Sequence, residues 1–135
     1  MAEVDLASKV WTIPGERMKG AKEHRVPLSP RAVEIIRSAT AFRGPKAKPT
    51  DAIFHGIRKD KHLGGGAMLS LLDRMGRGNI TVHGFRSTFR DWAAECTNFP
   101  NQVVEMALAH AIEDKSEAAY RRGDLFKKRA ALMSA

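Results

Sequence analysis

Three residue types suited to phosphoryl transfer follow one another in the C-terminal half of the chain. His83 and Arg86 lie three residues apart, so a helix beginning there would present both side chains on one face. His110 comes next, and then Tyr120, the only tyrosine in the protein. Arginine binds phosphate oxygens, histidine transfers protons, and a tyrosine hydroxyl can attack phosphorus. Together these groups supply what phosphoryl transfer on a nucleic-acid backbone requires.

Charge and composition agree with a polyanionic partner. The 135 residues include 23 lysines and arginines against 15 acidic residues, giving a net charge of +8. Phosphate backbones bind such proteins with release of counterions, so we expect salt to weaken the interaction. On charge alone, a basic protein without a nucleic-acid role is an equally good interpretation. No apolar run approaches the ~20 residues that span a bilayer, and we expect a soluble, cytoplasmic protein without a membrane partner.

The remaining metal-binding and thiol residues do not form a recognisable site. Cys96 is the only cysteine, which excludes an intrachain disulfide and fits a reducing compartment. Its helical spacing from Phe89 and Trp92 predicts a buried, structural side chain. The other histidines show no ligand spacing, and Glu105 is interpreted as an isolated carboxylate. The chemistry proposed needs no metal, and we predict none and no cofactor.

The predicted fold is α+β and mainly helical, with a small antiparallel β-hairpin sheet beside a helical bundle. The β-branched and aromatic residues of 4–13 predict one strand, and the alternation in residues 24–28 predicts its return strand. Ser29 and Pro30 are typical of a helix start. Residues 43–66 hold most of the glycine and proline and predict a loop-rich connection, with one possible short strand over residues 52–54.

From residue 67 onward the spacing of apolar residues predicts helices. A short helix is expected over residues 116–122, and Asp124 is predicted to cap the last one. The faces predicted to point inward are Met68, Leu71, Leu72 and Met75 in the first helix, Phe85, Phe89, Trp92 and Ala93 in the second, and Val103, Val104, Met106 and Ala107 in the third.

Motifs over most of the chain resemble the catalytic core of the tyrosine recombinases, the phage-integrase family. Residues 11–29, with the segments WTIP, RMK and HRVPLS, resemble the family's lysine-bearing hairpin. Residues 83–89 (HGFRSTF) resemble its histidine–arginine box in the form found in prophages and genomic islands. Residues 108–110 (LAH) and 118–122 (AAYRR) resemble the last box. Each motif is weak alone, whereas their order and spacing are specific.

The resemblance implies site-specific DNA recombination, the integration or excision of a prophage or genomic island, through a 3′-phosphotyrosine. Tyr120 would be the nucleophile and Arg86 the clamp on the transition-state charge. His83 and His110 would both lie at the scissile phosphate. The alternatives for these residues are a packed tyrosine, a surface salt bridge of the arginine with a nearby acidic residue, and histidines bonded to backbone carbonyls.

Lys19, by its place in the RMK segment, matches the family's hairpin lysine and would protonate the leaving 5′-hydroxyl. Lys22 lies in the same turn and is its rival; otherwise it is expected to contact DNA. The remaining predicted DNA contacts are Arg121, Arg122, Lys127, Lys128 and Arg129. These C-terminal cations could instead form a solvated helix face or a contact with a neighbouring protomer. Double-stranded DNA is the expected partner, with self-association on it, which in the family gives a tetrameric synapse.

Two parts of the family pattern do not match this sequence: an early arginine box and an N-terminal DNA-binding domain. We therefore expect residues 1–135 to be a single catalytic domain, truncated at its N-terminus, that cleaves DNA poorly by itself because transition-state charge is under-compensated. Three other functions stay open: a type IB topoisomerase, a non-catalytic DNA-binding remnant of an integrase, and a small basic helical regulator.

Overall fold

The computed structural model describes residues 3–43, 48, 50–56, 62–110 and 123–135. These residues form a three-stranded antiparallel sheet in the order β1-β2-β3 and five α-helices. The strands are β1 (Val4–Asp5), β2 (Val10–Ile13) and β3 (His24–Pro27). The helices are α1 (Pro30–Ala41), α2 (Ala67–Arg74), α3 (Gly84–Cys96), α4 (Asn101–Ala107) and α5 (Phe126–Leu132). The prediction of a mainly helical α+β fold with a small antiparallel sheet is confirmed.

The first strand predicted from the sequence is in fact two strands, so the sheet has three strands instead of the two of a hairpin. A turn interrupts residues 4–13 because the carboxylate of Asp5 accepts hydrogen bonds from the backbone N–H groups of Ala7 and Ser8, at 2.8 and 3.1 Å. Lys9 then takes a left-handed backbone conformation with φ of 56°. Short-range bonding of an aspartate to its own backbone is a common way to start a turn.

The start of α1 follows its sequence closely. The Ser29 hydroxyl accepts a hydrogen bond from the N–H of Ala32 at 3.2 Å, and Pro30 occupies the first helical position. Proline fits there because the first turn of a helix has no acceptor for its N–H groups. Val33 and Ile36, one turn apart, are the buried residues of this helix.

A single apolar cluster joins α3, α4 and α5. Its fully buried members are Ala93 of α3, Val103 and Val104 of α4, and Leu132 of α5. The last helix thus packs on its own chain, where it contacts both α4 and β3. Since the cluster fixes α3 against α4, it also fixes the start of one helix relative to the end of the other.

Several predictions of burial were wrong. On α2 only Leu72 is buried, whereas Met68, Leu71 and Met75 are 50%, 40% and 63% exposed. Among the described elements none packs extensively against α2, so its apolar face stays open.

Two residues of α3 were also placed wrongly. Phe85 is 54% exposed because it lies in the first turn of the helix, before the part that meets the core. Cys96, predicted to be buried, is exposed at the last residue of the same helix. Residues 52–54 form no strand; the only pairing described nearby is a single bridge between His55 and His62. In the parts of the chain that the structure describes, no helix combines the length and apolar character needed to span a membrane.

Candidate active site

Arg86 extends from the first turn of α3. The turn before this helix is closed by Thr81, whose hydroxyl accepts a hydrogen bond from the N–H of Gly84 at 3.1 Å. His83 directly precedes the helix, and its carbonyl accepts the N–H of Arg86 at 3.0 Å. Both side chains are exposed. Residues three apart on a helix are neighbours on its surface, so the sequence spacing places the imidazole and the guanidinium on one side.

A tight C-terminal cap on α4 places His110. The N–H of His110 bonds the carbonyl of Glu105 at 2.9 Å, and the N–H of Ala109 bonds that of Met106 at 3.2 Å. This is the paired bonding of a Schellman motif, which requires a left-handed residue just past the helix. Ala109 occupies that position with φ of 55°. An alanine there is strained, since its Cβ approaches the following carbonyl.

Arg86 and His110 meet although 24 residues separate them in sequence. Nη2 of Arg86 lies 2.8 Å from Nε2 of His110 and donates to the carbonyl of Leu108 at 2.6 Å. Both contacts use one nitrogen, so within the described part of the chain Nε and Nη1 of Arg86 carry no hydrogen bond. Nε and Nη1 point to different edges of the guanidinium, so a bidentate contact with one phosphate would pair one of them with Nη2 and replace His110 there. The salt bridge considered from the sequence, with an acidic neighbour on α3, does not occur among the described residues.

Glu105 holds the other side of the His110 ring. Its Oε2 lies 2.6 Å from Nδ1 of His110, and its Oε1 lies 2.9 Å from Nε of Arg90. A guanidinium only donates and a carboxylate only accepts. Therefore the contacts fit a neutral imidazole with its proton on Nδ1, and with the Nε2 lone pair directed at Arg86.

The interpretation of Glu105 as an isolated carboxylate was thus wrong. It connects Arg90 of α3 to His110, and through His110 to Arg86. The sequence did contain a signal, since a glutamate five residues before a histidine at a helix end can bond it both through the backbone and through the side chain. That signal becomes visible only once the cap of α4 is located, because five residues along an uninterrupted helix do not face each other.

The connection between β2 and β3 carries the two candidate lysines. It starts with a 3₁₀ turn over Gly15–Arg17, and the N–H of Ala21 then bonds the carbonyl of Met18 at 3.0 Å. Lys19 lies inside that second turn and Lys22 just after it, and both are exposed. No described contact joins either lysine to Arg86 or His110. The choice between them stays a prediction.

The connection nevertheless begins and ends at an edge of the sheet that lies near the end of α4. The last pair of the β2–β3 ladder is Ile13 with His24. The backbone of Ala107, three residues before His110, is near enough to His24 to favour its protonated form and so to raise its pKa slightly. Burial lowers the pKa of His24, the nearby charge of Arg129 lowers it further, and Asp124 and the Ala107 carbonyl partly oppose the shift.

The C-terminal cations divide into two groups. Lys127 and Lys128 are exposed on α5, and their contact with DNA stays a prediction. Arg129 is only 1% exposed and bonds the Asp124 carbonyl at 2.7 Å, the Asp124 carboxylate at 3.0 Å and the Arg25 carbonyl at 2.5 Å. The DNA contact predicted for Arg129 does not fit this burial, and its role here is structural. Asp124 also accepts the Phe126 N–H at 3.2 Å, but it lies one residue before the N-cap position predicted for it, which Leu125 occupies.

The predictions for Tyr120, Arg121 and Arg122, and for the helix over residues 116–122, lie outside the described residues. The structure describes the residues on either side of this stretch, up to His110 before it and from Gly123 after it. In the parts that the structure describes, no group of three His, Cys, Asp or Glu side chains could hold a metal ion.

Comparison with known proteins assigns the family. Residues 1–124 match the phage integrase family. The chain is 32% identical to Prophage integrase IntA of Escherichia coli (strain K12) over 133 residues, which are 97% of this chain and 31% of that protein. It is 33% identical to Prophage integrase IntZ of the same strain, over 96% of this chain and 31% of the relative.

The Integrase of Shigella phage Sf6 is 29% identical, over 96% of this chain and 33% of that protein. The chain thus spans about a third of the length of these relatives. No solved structure matches. Because the family match covers nearly the whole chain, the protein belongs to the phage integrase family.

Proposed function

We propose that this chain is a catalytic domain for site-specific DNA recombination, of the kind that integrates or excises a prophage or genomic island. It breaks and rejoins strands of double-stranded DNA through a phosphotyrosine. Its partners are the duplex and further copies of the same protein assembled on it. The family match and the prophage and phage relatives support this assignment.

The proposed reaction is a transesterification at one phosphodiester. The hydroxyl of Tyr120 attacks phosphorus, the new bond joins the phenolic oxygen to the 3′-phosphate, and the bond from phosphorus to the 5′-oxygen breaks. Nε2 of His110 takes the phenolic proton, and Lys19, or Lys22 in its place, protonates the departing 5′-oxygen. The phosphodiester energy is kept in the phosphotyrosine, so the 5′-hydroxyl of another strand can reverse the step without ATP.

Arg86 and His83 act on the phosphate oxygens. As the attack proceeds, negative charge grows on the two non-bridging oxygens, and a fixed guanidinium stabilises it without reorganising. A bidentate contact of Arg86 with two such oxygens would pair Nη2 with Nε or with Nη1, and the imidazole of His83 lies one helical turn away. Arriving phosphate would replace His110 as the acceptor for Nη2, which frees the Nε2 lone pair for the proton.

One observation carries the proposal: the contact of 2.8 Å between Arg86 and His110. These two residues come from separate motifs, at the start of α3 and past the end of α4, and nothing in their local sequences requires them to meet. A remnant that only binds DNA gains nothing from an arginine whose partner is a histidine fixed by a carboxylate. Basic groups on the outer surface, such as Lys127 and Lys128, would serve that role equally well.

The experiment is a crystal structure of the chain grown with vanadate, which mimics the five-coordinate phosphorus of the transition state. We expect one vanadate bound by Arg86, His83 and His110, with Tyr120 able to reach the vanadium. The Tyr120→Phe variant serves as the control, because it keeps the anion site but cannot form the bond to oxygen. If Arg86 and His110 bind no common anion, the catalytic proposal is wrong and the DNA-binding interpretation replaces it.

Activity on DNA then separates the remaining alternatives. We expect an SDS-resistant adduct between Tyr120 and a pool of nicked random-sequence duplexes, at a low rate for this chain alone. A topoisomerase-like protein would instead relax supercoiled plasmid without joining two duplexes. Salt-dependent DNA binding that Tyr120→Phe does not change, with no adduct from the unaltered protein, would indicate a non-catalytic remnant.

A further inference from the structure

The connection between β2 and β3 forms a lysine loop (residues 14–23) that is folded and compact. A Cβ atom on Gly15 would lie only 2.7 Å from the carbonyl oxygen of Ala21, so the two turns of the loop are in close contact. Ala21 has φ of 50°, in the left-handed region that an alanine keeps only where its surroundings fix the backbone. Lys19 and Lys22 therefore extend from a backbone of defined shape.

The carboxylate of Glu3 joins this loop to the sheet. Nη1 of Arg17, in the first turn of the loop, donates to both carboxylate oxygens at 2.5 Å, and the indole Nε1 of Trp11 in β2 donates to Oε2 at 3.2 Å. The backbone of Glu3 is held as well, because its carbonyl accepts the N–H of Thr12 at 2.8 Å. Hydrogen bonds from Arg17 and then from Trp11 keep the pKa of Glu3 below its usual value, so the carboxylate is ionised near neutral pH.

The ion pair between Arg17 and Glu3 acts on the position of the loop more than on the stability of the fold. The two side chains are 56% and 32% exposed, and ion pairs as exposed as this contribute little to the free energy of unfolding. Among the hydrogen bonds and ion pairs of the described residues, this one alone joins the interior of the loop to the rest of the chain. Breaking it would leave the loop attached to the sheet only at its two ends.

The sheet that carries the lysine loop is itself fixed relative to the candidate site. Nη1 of the buried Arg129 in α5 donates to the carbonyl of Arg25 in β3 at 2.5 Å. Leu132 of the same helix lies in one apolar cluster with Val104 of α4, and His110 follows the end of α4. The sheet, α5 and α4 thus form one framework, so the ion pair to Glu3 also fixes the loop relative to His110.

We propose that Glu3 and Arg17 are positioning residues for the general acid: their ion pair holds the lysine loop so that Lys19, or Lys22 in its place, protonates the departing 5′-oxygen. This inference rests on the proposed function. As the bond between phosphorus and the 5′-oxygen breaks, a proton moves from the lysine Nζ to that oxygen, because an alkoxide is a poor leaving group. Proton transfer depends steeply on the position of the donor, so loosening the loop slows this step and leaves the phosphate clamp intact.

The test uses two leaving groups on the same pool of random-sequence duplexes. The scissile 3′-phosphate is joined either to the 5′-oxygen of a dinucleotide or to 4-nitrophenol, which departs as a stable anion and needs no proton. Arg17→Gln is compared with Arg31→Gln, which removes an exposed arginine from an ion pair with Glu34 in α1. We expect Arg17→Gln to form the covalent protein–DNA adduct about tenfold more slowly than Arg31→Gln from the dinucleotide duplexes, and within about twofold of it from the nitrophenyl duplexes.

Further variants identify the ion pair as the cause. Glu3→Gln should show the same pattern as Arg17→Gln, and the double variant should be no slower than either one, because both changes break one interaction. Arg17→Lys should recover part of the rate, because lysine keeps the charge. Equal rates for Arg17→Gln and Arg31→Gln on the dinucleotide duplexes would overturn the proposal. An equal loss with both leaving groups would also overturn it, since Arg17 would then act on the fold or on DNA binding and not through the lysine.

Amide hydrogen exchange without DNA provides a readout that does not depend on the chemistry. The N–H groups of Met18 and Ala21 close the two turns of the lysine loop, and we expect both to exchange faster in Arg17→Gln than in Arg31→Gln. If the unaltered chain forms no adduct from either kind of duplex, the proposed function fails on its own. The exchange data then decide whether the ion pair positions the loop, which faster exchange at these two amides supports and unchanged exchange refutes.

Discussion

Two regions of this protein use similar sequence patterns and reach different degrees of packing. The site region consists of β3, α3, α4 and α5; the α2 region consists of residues 62–80. Both contain helices with one apolar face. In the site region Val103 and Leu132 are 0% and 1% exposed, whereas Met75 and Leu71 of the α2 region remain 63% and 40% exposed. An amphipathic pattern predicts a helix and its apolar face, but not whether another element covers that face.

The packing of the site region also holds its charged side chains in place. In the site region, charged side chains are paired across elements, as in Arg90–Glu105 and Arg25–Asp124. The cations available to bind phosphate there stand on a frame fixed by the apolar cluster. Preorganised charges stabilise a transition state better than mobile ones, in keeping with the proposal that the chemistry takes place in this region. The following predictions test that contrast, beginning with the largest effect.

Replacing Arg86 by glutamine should reduce the rate of Tyr120–DNA adduct formation about 100- to 1000-fold, the usual result of losing a main transition-state donor. The free energy of unfolding should change little, because the side chain is exposed. Arg74→Gln, at the end of α2, removes the same charge from the other region and should change the rate less than about threefold. Equal losses in the two variants would mean that the arginines act only through overall charge.

Replacing one leucine by alanine in each region should lower the free energy of unfolding by different amounts. Leu132→Ala creates a cavity in the buried cluster and should lower the free energy of unfolding by about 3 kcal/mol. Leu71→Ala makes the same chemical change on the exposed face of α2 and should lower it by less than about 1 kcal/mol. Urea denaturation measures both. A large loss for Leu71→Ala would show that the α2 face is covered in solution.

Glu105→Gln should slow adduct formation about tenfold, since a charge-assisted hydrogen bond contributes on the order of 1.5 kcal/mol and here fixes the His110 ring. Arg90→Gln is the matched control, because it removes the other partner of Glu105 and leaves the bond to His110 in place. Its effect on the rate should be smaller. If the two variants were equally slow, the carboxylate would act through Arg90 and not through His110.

Ala109→Gly should stabilise the protein by about 0.5–1 kcal/mol, because glycine removes the strain of a left-handed alanine. Ala107→Gly, within α4, should have the opposite sign and a similar size, since there the backbone is helical. Thermal unfolding of both variants checks the pair. Destabilisation by Ala109→Gly would indicate that the alanine methyl group contributes packing that outweighs the strain.

The smallest expected effect is on the way the free energy of unfolding depends on pH. The pKa of His24 is lowered in the folded state, so the unfolded chain binds this proton more readily. Its contribution to stability is complete above about pH 6.5 and is lost as the pH falls from there through the folded pKa. His24→Gln should therefore reduce the loss of unfolding free energy on acidification from neutral pH, as measured by urea denaturation.

Local sequence was a good guide wherever short-range bonding decides the structure. Ser29 and Pro30 start α1, as predicted. The same kind of bonding also produced an error, because Asp5 forms a turn where β propensity predicted a continuous strand. Side-chain bonds of aspartate to its neighbours can outweigh the preference of flanking residues for an extended backbone.

Contacts between distant residues account for most of what the sequence did not show. Glu105 looked isolated because its partners lie on another helix and past the end of its own. Arg129 resembled its neighbours Lys127 and Lys128, yet it alone turns toward Asp124 and the β3 backbone. A side chain's role as a surface cation or as a buried bridge depends on which face of α5 meets the sheet, and adjacent basic residues carry no sign of that.

Residue type, order and local spacing were enough to predict the family and the mainly helical α+β class, and they also gave the residues proposed to bind phosphate and transfer protons. Only the folded chain shows that Arg86 meets His110, that Glu105 holds the other side of the His110 ring, and that Arg25 and Arg129 both bind Asp124. The physical reason is that such contacts depend on how α3, α4 and α5 share one apolar cluster, and a nonspecific pattern of apolar residues does not encode that arrangement in any single segment.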